Sequence, residues 1–556
     1  MKLTALIILF ISSSIAFGQG SNFLTEEVYV ESTTDTDSDG ELDRIYISIR
    51  RSSSSKKLST IMTMSPYSLG GNSTTPHDVD SDLLPQDESL FTNDNKRVSL
   101  IKSHKDFKNI KSVKAPITRI KYAKITAHSL GTGNSTGCPT VGDISEALGA
   151  KAVIDWLNGR AKAFDKSGKE IFATWANGKV GMSGVSYNGT LPVMVAATGV
   201  DGLKAIIPIA AISSWYNYYR ANGLVVGPGG YIGEDADELG YYIVRKRACK
   251  KELEKLAIDM GREHGDYSQF WQDRDYISKA NNIKAATFII HGQSDWNVKQ
   301  KHATELWKAL GSTPKRMFLH KGGHGSTSSH KVPRKIQDWY DHFLEGVDNG
   351  ITDGPQVEVE LSNRTLITQN EWPSEKTTEK TFFFSNSKLI SSAPLNKTQI
   401  KITDSGRDNK ITSQLKDPSQ KKKGRVIFLG DELTEDTLLS GTPNIRLELS
   451  VLNRKAANIT VVIIEYTKSG KGKVITRGWA DPQNYRDLEL GEKLIPGKNY
   501  QMNFDLEPKQ YLVSKGSKIG VMLASTDFNY TLRPKSGTQI QFSLDANSFI
   551  RMMLSK

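Results

Sequence analysis

Three residues have the types and the chain order that acyl transfer by a serine requires. A serine hydroxyl is a poor nucleophile at neutral pH. It needs an imidazole to take its proton, and the imidazole needs an acid that fixes its tautomer and stabilises its cation. Ser186 lies in Gly184-Val185-Ser186-Tyr187-Asn188-Gly189, after small and apolar residues and before the apolar run Leu191 to Ala197. That pattern reads as strand, sharp turn and helix with the serine at the tip. The common form is G-x-S-x-G. Here Asn188 stands where the second glycine is expected and Gly189 follows it, so the motif alone is equally a Gly/Ser-rich turn. In α/β folds of this kind the acid and then the histidine follow the serine. Asp295 comes next, in His291-Gly292-Gln293-Ser294-Asp295-Trp296-Asn297-Val298, and His324 after it, in His320-Lys321-Gly322-Gly323-His324-Gly325. Taken singly, Asp295 reads as a helix N-cap and His324 as a loop histidine. The agreement of order and position at three strand ends makes Ser186, Asp295 and His324 the candidate triad. His291 and His320 are competitors at strand ends and rank behind His324.

Placing these residues together requires parallel strands linked by helices. Ser59 to Met64, Ile120 to Ala127, the segment before Ser186, Leu203 to Ala211, Ala285 to Ile290 and Arg316 to Leu319 read as strands. Ile144 to Ala161, Val298 to Leu310 and Val332 to Leu344 have helical apolar spacing. This alternation predicts a mostly parallel sheet whose ligands bind beyond the carboxyl ends of its strands. A tetrahedral oxyanion needs fixed donors. The Tyr187 amide is the first by topology. Tyr67, in Ser65-Pro66-Tyr67 after an earlier strand, offers its phenol as the second. The loop Leu130 to Gly137 is glycine-rich but lacks a Walker lysine, which argues against nucleotide binding. Residues 212–283, dense in aromatics and charges, read as a helical cap. From residue 350 to 556 short alternating runs punctuated by Gly, Pro, Asn and Asp predict a jelly-roll β-sandwich. The catalytic α/β domain is thus expected over 19–211 and 284–349.

The 556 residues carry 37% hydrophobic and 24% charged side chains, an ordinary globular composition. Net charge is +12, but the basic residues are interleaved with 61 acidic ones, so no nucleic-acid partner is expected. Residues 1–18 have an export pattern: Lys2, the apolar Leu3 to Phe10, and Ala16-Phe17-Gly18 before Gln19. No later stretch is long and apolar enough for a membrane span. The reading is therefore an exported protein, periplasmic or secreted. Cys138 and Cys249 are the two cysteines. They are expected as free thiols, with a disulfide as the alternative, and their spacing has no metal signature. Residues 26–50 read as two strands around Asp35 to Asp43. The D-x-D-x-D-G spacing resembles a calcium loop, but Tyr46 stands at the twelfth position, so a polar hairpin turn is expected.

The chain also resembles the Xaa-Pro dipeptidyl-peptidase group of serine hydrolases, related to cocaine esterase and the α-amino acid ester hydrolases. The resemblance rests on Ser65-Pro66-Tyr67, on Ala152 to Arg160, on Gly178 to Gly189, on His291-Gly292 with Asp295 to Val298, and above all on Ala211 to Val226 continuing through Pro228 to Asp235. It spans about residues 26 to 556. It implies an α/β-hydrolase with cap and jelly roll, no metal or organic cofactor, and release of N-terminal Xaa-Pro dipeptides from peptides with a free N-terminus. Such a site needs a buried anion for the α-ammonium, for which Glu234 or Asp235 is a candidate. It needs an aromatic-lined pocket for the proline ring, for which Trp215, Tyr216 and Trp296 are candidates. Two departures stand out. The helical N-terminal domain of the lactic-acid-bacterial enzymes has no room here, so their dimerisation does not carry over and homo-oligomerisation is left open. This chain also has an export pattern, whereas those enzymes are typically cytoplasmic. The alternatives are an ester or β-lactam acyl hydrolase on the same scaffold and, from another class, a surface-binding protein with a vestigial catalytic domain.

Overall fold

The strands expected around the serine turn lie side by side in one sheet of a computed structural model that describes residues 23–53, 56–81, 121–246 and 249–555. The expected signal segment and Ile120, the expected start of one strand, fall outside the described residues. In chain order the sheet strands are β1 (Phe23–Glu31), β2 (Arg44–Ser52), β3 (Leu58–Ser65), β4 (Ala123–His128), β5 (Ala163–Phe164), β6 (Ala176–Val185) and β7 (Leu203–Ile209). After a two-strand hairpin in the cap, β8 (Arg220–Ala221) and β9 (Leu224–Val225), come β10 (Ala286–Gly292), β11 (Lys315–His320), β12 (Val357–Glu360) and β13 (Leu366–Gln369). The spatial order is β13-β12-β11-β10-β7-β6-β3-β4-β2-β1-β5. Pairing is parallel from β12 through to β4 and antiparallel at both edges. Strand β10, Ala-Thr-Phe-Ile-Ile-His-Gly, is buried at every position, as expected of a central parallel strand covered on both faces.

Helices α1 (Ile144–Leu157) and α2 (Tyr187–Ala196) cover one face. The first ends earlier than the apolar spacing predicts, because Gly159 takes a left-handed φ of 73° and closes the end on the Trp156 carbonyl. The cap holds α3 (Trp215–Tyr219), α4 (Ala236–Ile243), α5 (Lys250–Asp259) and α6 (Gln269–Gln272). Then α7 (Lys301–Ala309) follows β10, and α8 (Val332–Glu345) packs Trp339 and Tyr340 on the other face.

Two expectations are corrected. Val357 to Leu361 does not begin the C-terminal domain: β12 pairs in parallel with β11, and β13 closes that edge of the catalytic sheet. Alternation marks a strand but not the sheet it joins, so this strand belongs to the first sheet and not to the sandwich expected for it. Cys138 and Cys249 are not free thiols but a disulfide with Cα atoms 5.4 Å apart. It ties the loop before α1 to the start of α5, across 111 residues of chain. In the chain-entropy view a loop of that length stabilises by roughly 5 kcal/mol. The same loop and the cap are joined again where Arg274 donates to the Val141 and Thr140 carbonyls, at 2.9 and 2.8 Å.

Residues 377–555 form a largely antiparallel β domain. In the strand Ile459–Tyr466, Ile459, Val461 and Ile463 enter one core while Val462, Ile464 and Tyr466 enter another. This is the period-two alternation of a strand covered on both sides. Among the described residues no helix is long and apolar enough to cross a membrane. In the hairpin between β1 and β2, Asp35 accepts the Asp39 and Gly40 amides, and Asp37 pairs with Lys246 of the cap at 2.9 Å. Asp35 thus shapes the turn, while carboxylate oxygens of Asp35, Asp37 and Asp39 lie within 4.8 Å of one another.

Candidate active site

The turn at Ser186 is a strained elbow. Its φ of 63° and ψ of −131° lie outside the regions open to ordinary L-residues, at a cost of roughly 1–3 kcal/mol. The surroundings impose it: the Ser186 amide donates to the Ile209 carbonyl of β7, and the Ser186 carbonyl accepts from the Gly189 and Thr190 amides. A Cβ on Gly184 would lie 2.1 Å from the Asn188 carbonyl oxygen, and one on Gly189 would lie 2.7 Å from the Gly184 and Ile209 oxygens. Position 189, not 188, is therefore where the crossing backbone needs glycine, and Asn188 is no defect in the motif.

Asp295 is buried in the turn after β10. Its Oδ1 accepts the Asn297 and Val298 amides, each at 3.0 Å, and its Oδ2 lies 2.7 Å from His324 Nδ1. These bonds to 297 and 298 hold a turn, so α7 begins at Lys301 rather than at Val298. With Nδ1 on the carboxylate, His324 keeps Nε2 for a reacting group. His291 and His320 are both occupied by structure. His291 Nε2 lies 2.8 Å from the Val298 carbonyl. His320 Nε2 lies 3.0 Å from the Gly325 carbonyl, and its Nδ1 accepts the Gly322 amide, which shapes the glycine turn that carries His324.

Tyr187 leaves only its amide for an oxyanion. Its phenol is buried and donates to Glu146 Oε2 at 2.7 Å; Glu146 also accepts from Ser129 Oγ and from the Gly142 amide. Burial raises the Glu146 carboxyl above its usual range. The sequence reading missed Glu146; an acidic residue amid the apolar spacing of α1 is the one signal that marked it. For Tyr67 the roles are reversed. Its amide is bonded to Ser65 Oγ at 3.0 Å, which leaves the phenol. Burial, and after it the Glu234 charge, pushes that phenol well above the usual tyrosine range, so it stays protonated as a donor.

The substrate-side candidates divide. Glu234 accepts from Tyr219 Oη at 2.9 Å. Burial, followed by the neighbouring Glu238, raises its carboxyl to about 8. Asp235, in contrast, is fully enclosed with Arg220 at 2.9 Å and Arg262 at 2.7 Å, and caps α4 through the Ala236 amide. Burial opposes its ionisation, but the two guanidinium groups outweigh that and hold it below the usual range. Asp235 is a structural ion-pair partner and not a free anion. Tyr216 is also excluded from the pocket: its hydroxyl is buried between the Gly265 carbonyl and the Gly223 amide. Trp215 is buried, with its Nε1 on Tyr276 Oη and its ring edge-on to Tyr187 at 4.9 Å. It backs the nucleophile turn. Trp296 is half-buried and lines an open cavity of about 440 Å³ together with Asp295, His324 and, from the C-terminal domain, Asn529 and Tyr530. Those last two were not found from the sequence, since nothing local in a β domain marks a residue that reaches another domain's site.

A serine at such an elbow, with a carboxylate-held histidine at the same sheet edge, defines a serine hydrolase of the α/β class. Residues 39–326 match the X-Pro dipeptidyl-peptidase (S15) family, and residues 349–552 match the X-Pro dipeptidyl-peptidase C-terminal non-catalytic domain. A Bacillus anthracis relative is 39% identical over 534 residues, covering 94% of this chain and 86% of that protein. The Xaa-Pro dipeptidyl-peptidase of Streptococcus thermophilus is 32% identical, covering 96% and 80%. A CocE/NonD family hydrolase from Staphylococcus aureus superposes with a TM-score of 0.70 at 15% identity, covering 96% of each chain. An α-amino acid ester hydrolase superposes at 0.63 and 14%, covering 98% of each. The chain belongs to the S15 Xaa-Pro dipeptidyl-peptidase family of serine hydrolases.

The elbow geometry predicts opposite outcomes for its two neighbours. Gly189→Ala should displace the turn and lower kcat by roughly 100-fold, the order expected for a 1 Å misplacement. Asn188→Gly, which restores the common spacing, should leave kcat within a few-fold. Steady-state kinetics on both variants is the check.

Proposed function

We propose that this protein releases Xaa-Pro dipeptides from peptides with a free N-terminus, through an acyl-enzyme on Ser186. The observation that carries the reading is a buried carboxyl group, Glu234, set among Tyr67, Tyr218 and Tyr219, with the Tyr67 ring 6.1 Å from that of Tyr187. A free α-ammonium is the complement of such a carboxylate, and an exopeptidase has to measure the distance from that ammonium to the scissile bond.

In this mechanism His324 Nε2 takes the Ser186 proton as Oγ attacks the proline carbonyl carbon. The Tyr187 amide and the Tyr67 phenol donate to the oxyanion. As the intermediate collapses, the C–N bond breaks and His324 returns the proton to the departing amine. Water, deprotonated by His324, then releases the dipeptide. Asp295 stabilises the imidazolium at each stage.

We also infer export, to the periplasm or beyond the cell. It is supported by Lys2, the apolar run to Phe10 and Ala16-Phe17-Gly18, and by a structural disulfide of the kind oxidising compartments favour. A mature chain that starts at Gln19 in the exported fraction is the expected result; an intact N-terminus retained in the cytoplasm contradicts it.

The substrate test is hydrolysis of Ala-Pro-anilide, its N-acetylated form and a simple aryl ester. Wild type should cleave the free anilide and lose activity on acetylation. Equal turnover of the blocked anilide, or preference for the ester, would sink the dipeptidyl reading in favour of an ester hydrolase. The pH profile carries a further sign. With its carboxyl raised to about 8, Glu234 is mostly neutral below that pH and must lose a proton to pair with the ammonium. The substrate amine itself titrates at roughly 7.7–8.0. The kcat/KM value should therefore climb towards about pH 8 and decline above it. Glu234→Gln should remove that climb and lower kcat/KM by roughly 10- to 100-fold, the value of a charge-assisted hydrogen bond.

A further inference from the structure

Asn297 is a polar side chain at the active-site cavity that the mechanism above does not use. It is half-buried and lines the same space as His324, Asp295, Trp296 and Ile232. Its backbone is pinned on both sides. Its own amide donates to Asp295 Oδ1 at 3.0 Å, and the carbonyl before it, of Trp296, accepts the Gly229 amide at 2.7 Å. The side chain is oriented as well. The Tyr218 phenol donates to Asn297 Oδ1 at 3.2 Å, which leaves Nδ2 as the free end of the amide. Among the described residues Nδ2 donates to no partner.

Tyr218 ties this amide to the ammonium end of the site. The same phenol lies within hydrogen-bonding reach of Glu234. Burial and, after it, the Glu234 charge raise the phenol well above the usual tyrosine range, so it stays a donor. The small pocket around Glu234 also shares Ile232 and Tyr530 with the cavity. Asn297 therefore stands between two groups with assigned work: Glu234, reached through Tyr218, and the Asp295–His324 pair, reached through its own backbone. The substrate has one unassigned polar atom over that stretch. In an Xaa-Pro peptide the ammonium goes to Glu234 and the proline carbonyl goes to the oxyanion donors. The proline nitrogen carries no N–H. That leaves the carbonyl oxygen of the first residue, which needs a donor, since a buried acceptor without one is costly. A carboxamide Nδ2 supplies two N–H groups and no competing lone pair.

We propose that Asn297 Nδ2 donates to the carbonyl oxygen of the substrate's first residue, and that Tyr218 is the positioning residue that holds this amide the right way round. The inference rests on the dipeptidyl reading given above and deepens it. Glu234 and Asn297 then grip two neighbouring groups of the first residue, its ammonium and its carbonyl. Two fixed points orient the peptide bond to proline, where the ammonium contact alone would let it rotate. Because the Asn297 backbone is bonded to the carboxylate that holds His324, the second grip is set in register with the catalytic pair.

A single-atom change in the substrate tests this contact. In the thioxo analogue of Ala-Pro-anilide, sulfur replaces the oxygen of the alanine carbonyl. Sulfur is a weaker acceptor, while the ammonium, the proline and the scissile bond are unchanged. Wild type should cleave the oxo substrate with a kcat/KM roughly ten-fold above that of the thioxo analogue, the value of one hydrogen bond. Asn297→Ala should bring this ratio close to one, by lowering kcat/KM for the oxo substrate and leaving the thioxo value nearly unchanged. Tyr218→Phe, which keeps the ring and removes the orienting hydroxyl, should lower the ratio several-fold. The ratio compares two substrates on one preparation, so a loss of folded enzyme in either variant cancels from it. A ratio near one in wild type, or the wild-type ratio preserved in both variants, overturns the assignment and leaves the dipeptidyl reading intact. A wild type that turns over the aryl ester but neither anilide removes the dipeptidyl reading itself, and the role of Asn297 with it.

Discussion

The backbone of Ser186 is the constraint on which the site depends. A residue at φ 63°, ψ −131° persists only where its neighbours leave no alternative. Here Ile209 of β7 takes its amide, the start of α2 takes its carbonyl, and glycines at 184 and 189 allow the crossing. The parallel order β6-β7-β10-β11 then does the rest. It carries the turns after β10 and β11 to the same edge, so that Asp295 and His324 meet at 2.7 Å although 29 residues separate them. Beneath the elbow, Glu146 binds Tyr187, Ser129 and Gly142 in one buried cluster. That cluster directs the Tyr187 phenol inward and leaves its amide as the group proposed to meet the oxyanion.

The C-terminal domain is more than an appendage to this arrangement. Lys509 donates to the Gln293 carbonyl and Gln510 donates to the Gln293 side chain, two residues before Asp295 in the chain. Lys299, four residues after it, is buried on the Asn217 and Tyr218 carbonyls. Burial lowers both ammonium groups to about 8, the mark of charges taken out of water at a closed interface. The turn that holds Asp295 is thus clamped between the cap and the β domain. Rigidity of that kind keeps the Asp295–His324 hydrogen bond within a narrow geometry.

Much of this was legible in the sequence, for identifiable reasons. The order Ser186, Asp295, His324 was readable because each residue follows a short apolar strand, and parallel topology turns chain position into spatial position. The elbow was readable because small residues are a steric necessity there. Other features had no local signature. Asp235 and Glu234 are adjacent acids; only Arg220 and Arg262, brought in by folding, separate the ion-paired one from the other. Tyr216 points away from the site because Gly265 and Gly223 take its hydroxyl. The pairing of Cys138 with Cys249 depends on how the cap sits on the loop before α1, which no spacing encodes. β12 alternates like any strand of the following domain, and its partner β11 decides otherwise. Asn529 and Tyr530 lie far down the chain from Trp296, and their place in the site follows only from docking of the two domains.

The central claim is that Ser186, held in this strained turn, carries a dipeptidyl ester during turnover. Mass spectrometry of the acid-quenched enzyme after mixing with Ala-Pro methyl ester tests it most directly. The account predicts an added Ala-Pro acyl group on the peptide that contains Ser186, absent in Ser186→Ala. An adduct on another residue, or one that carries a single amino acid, would contradict it.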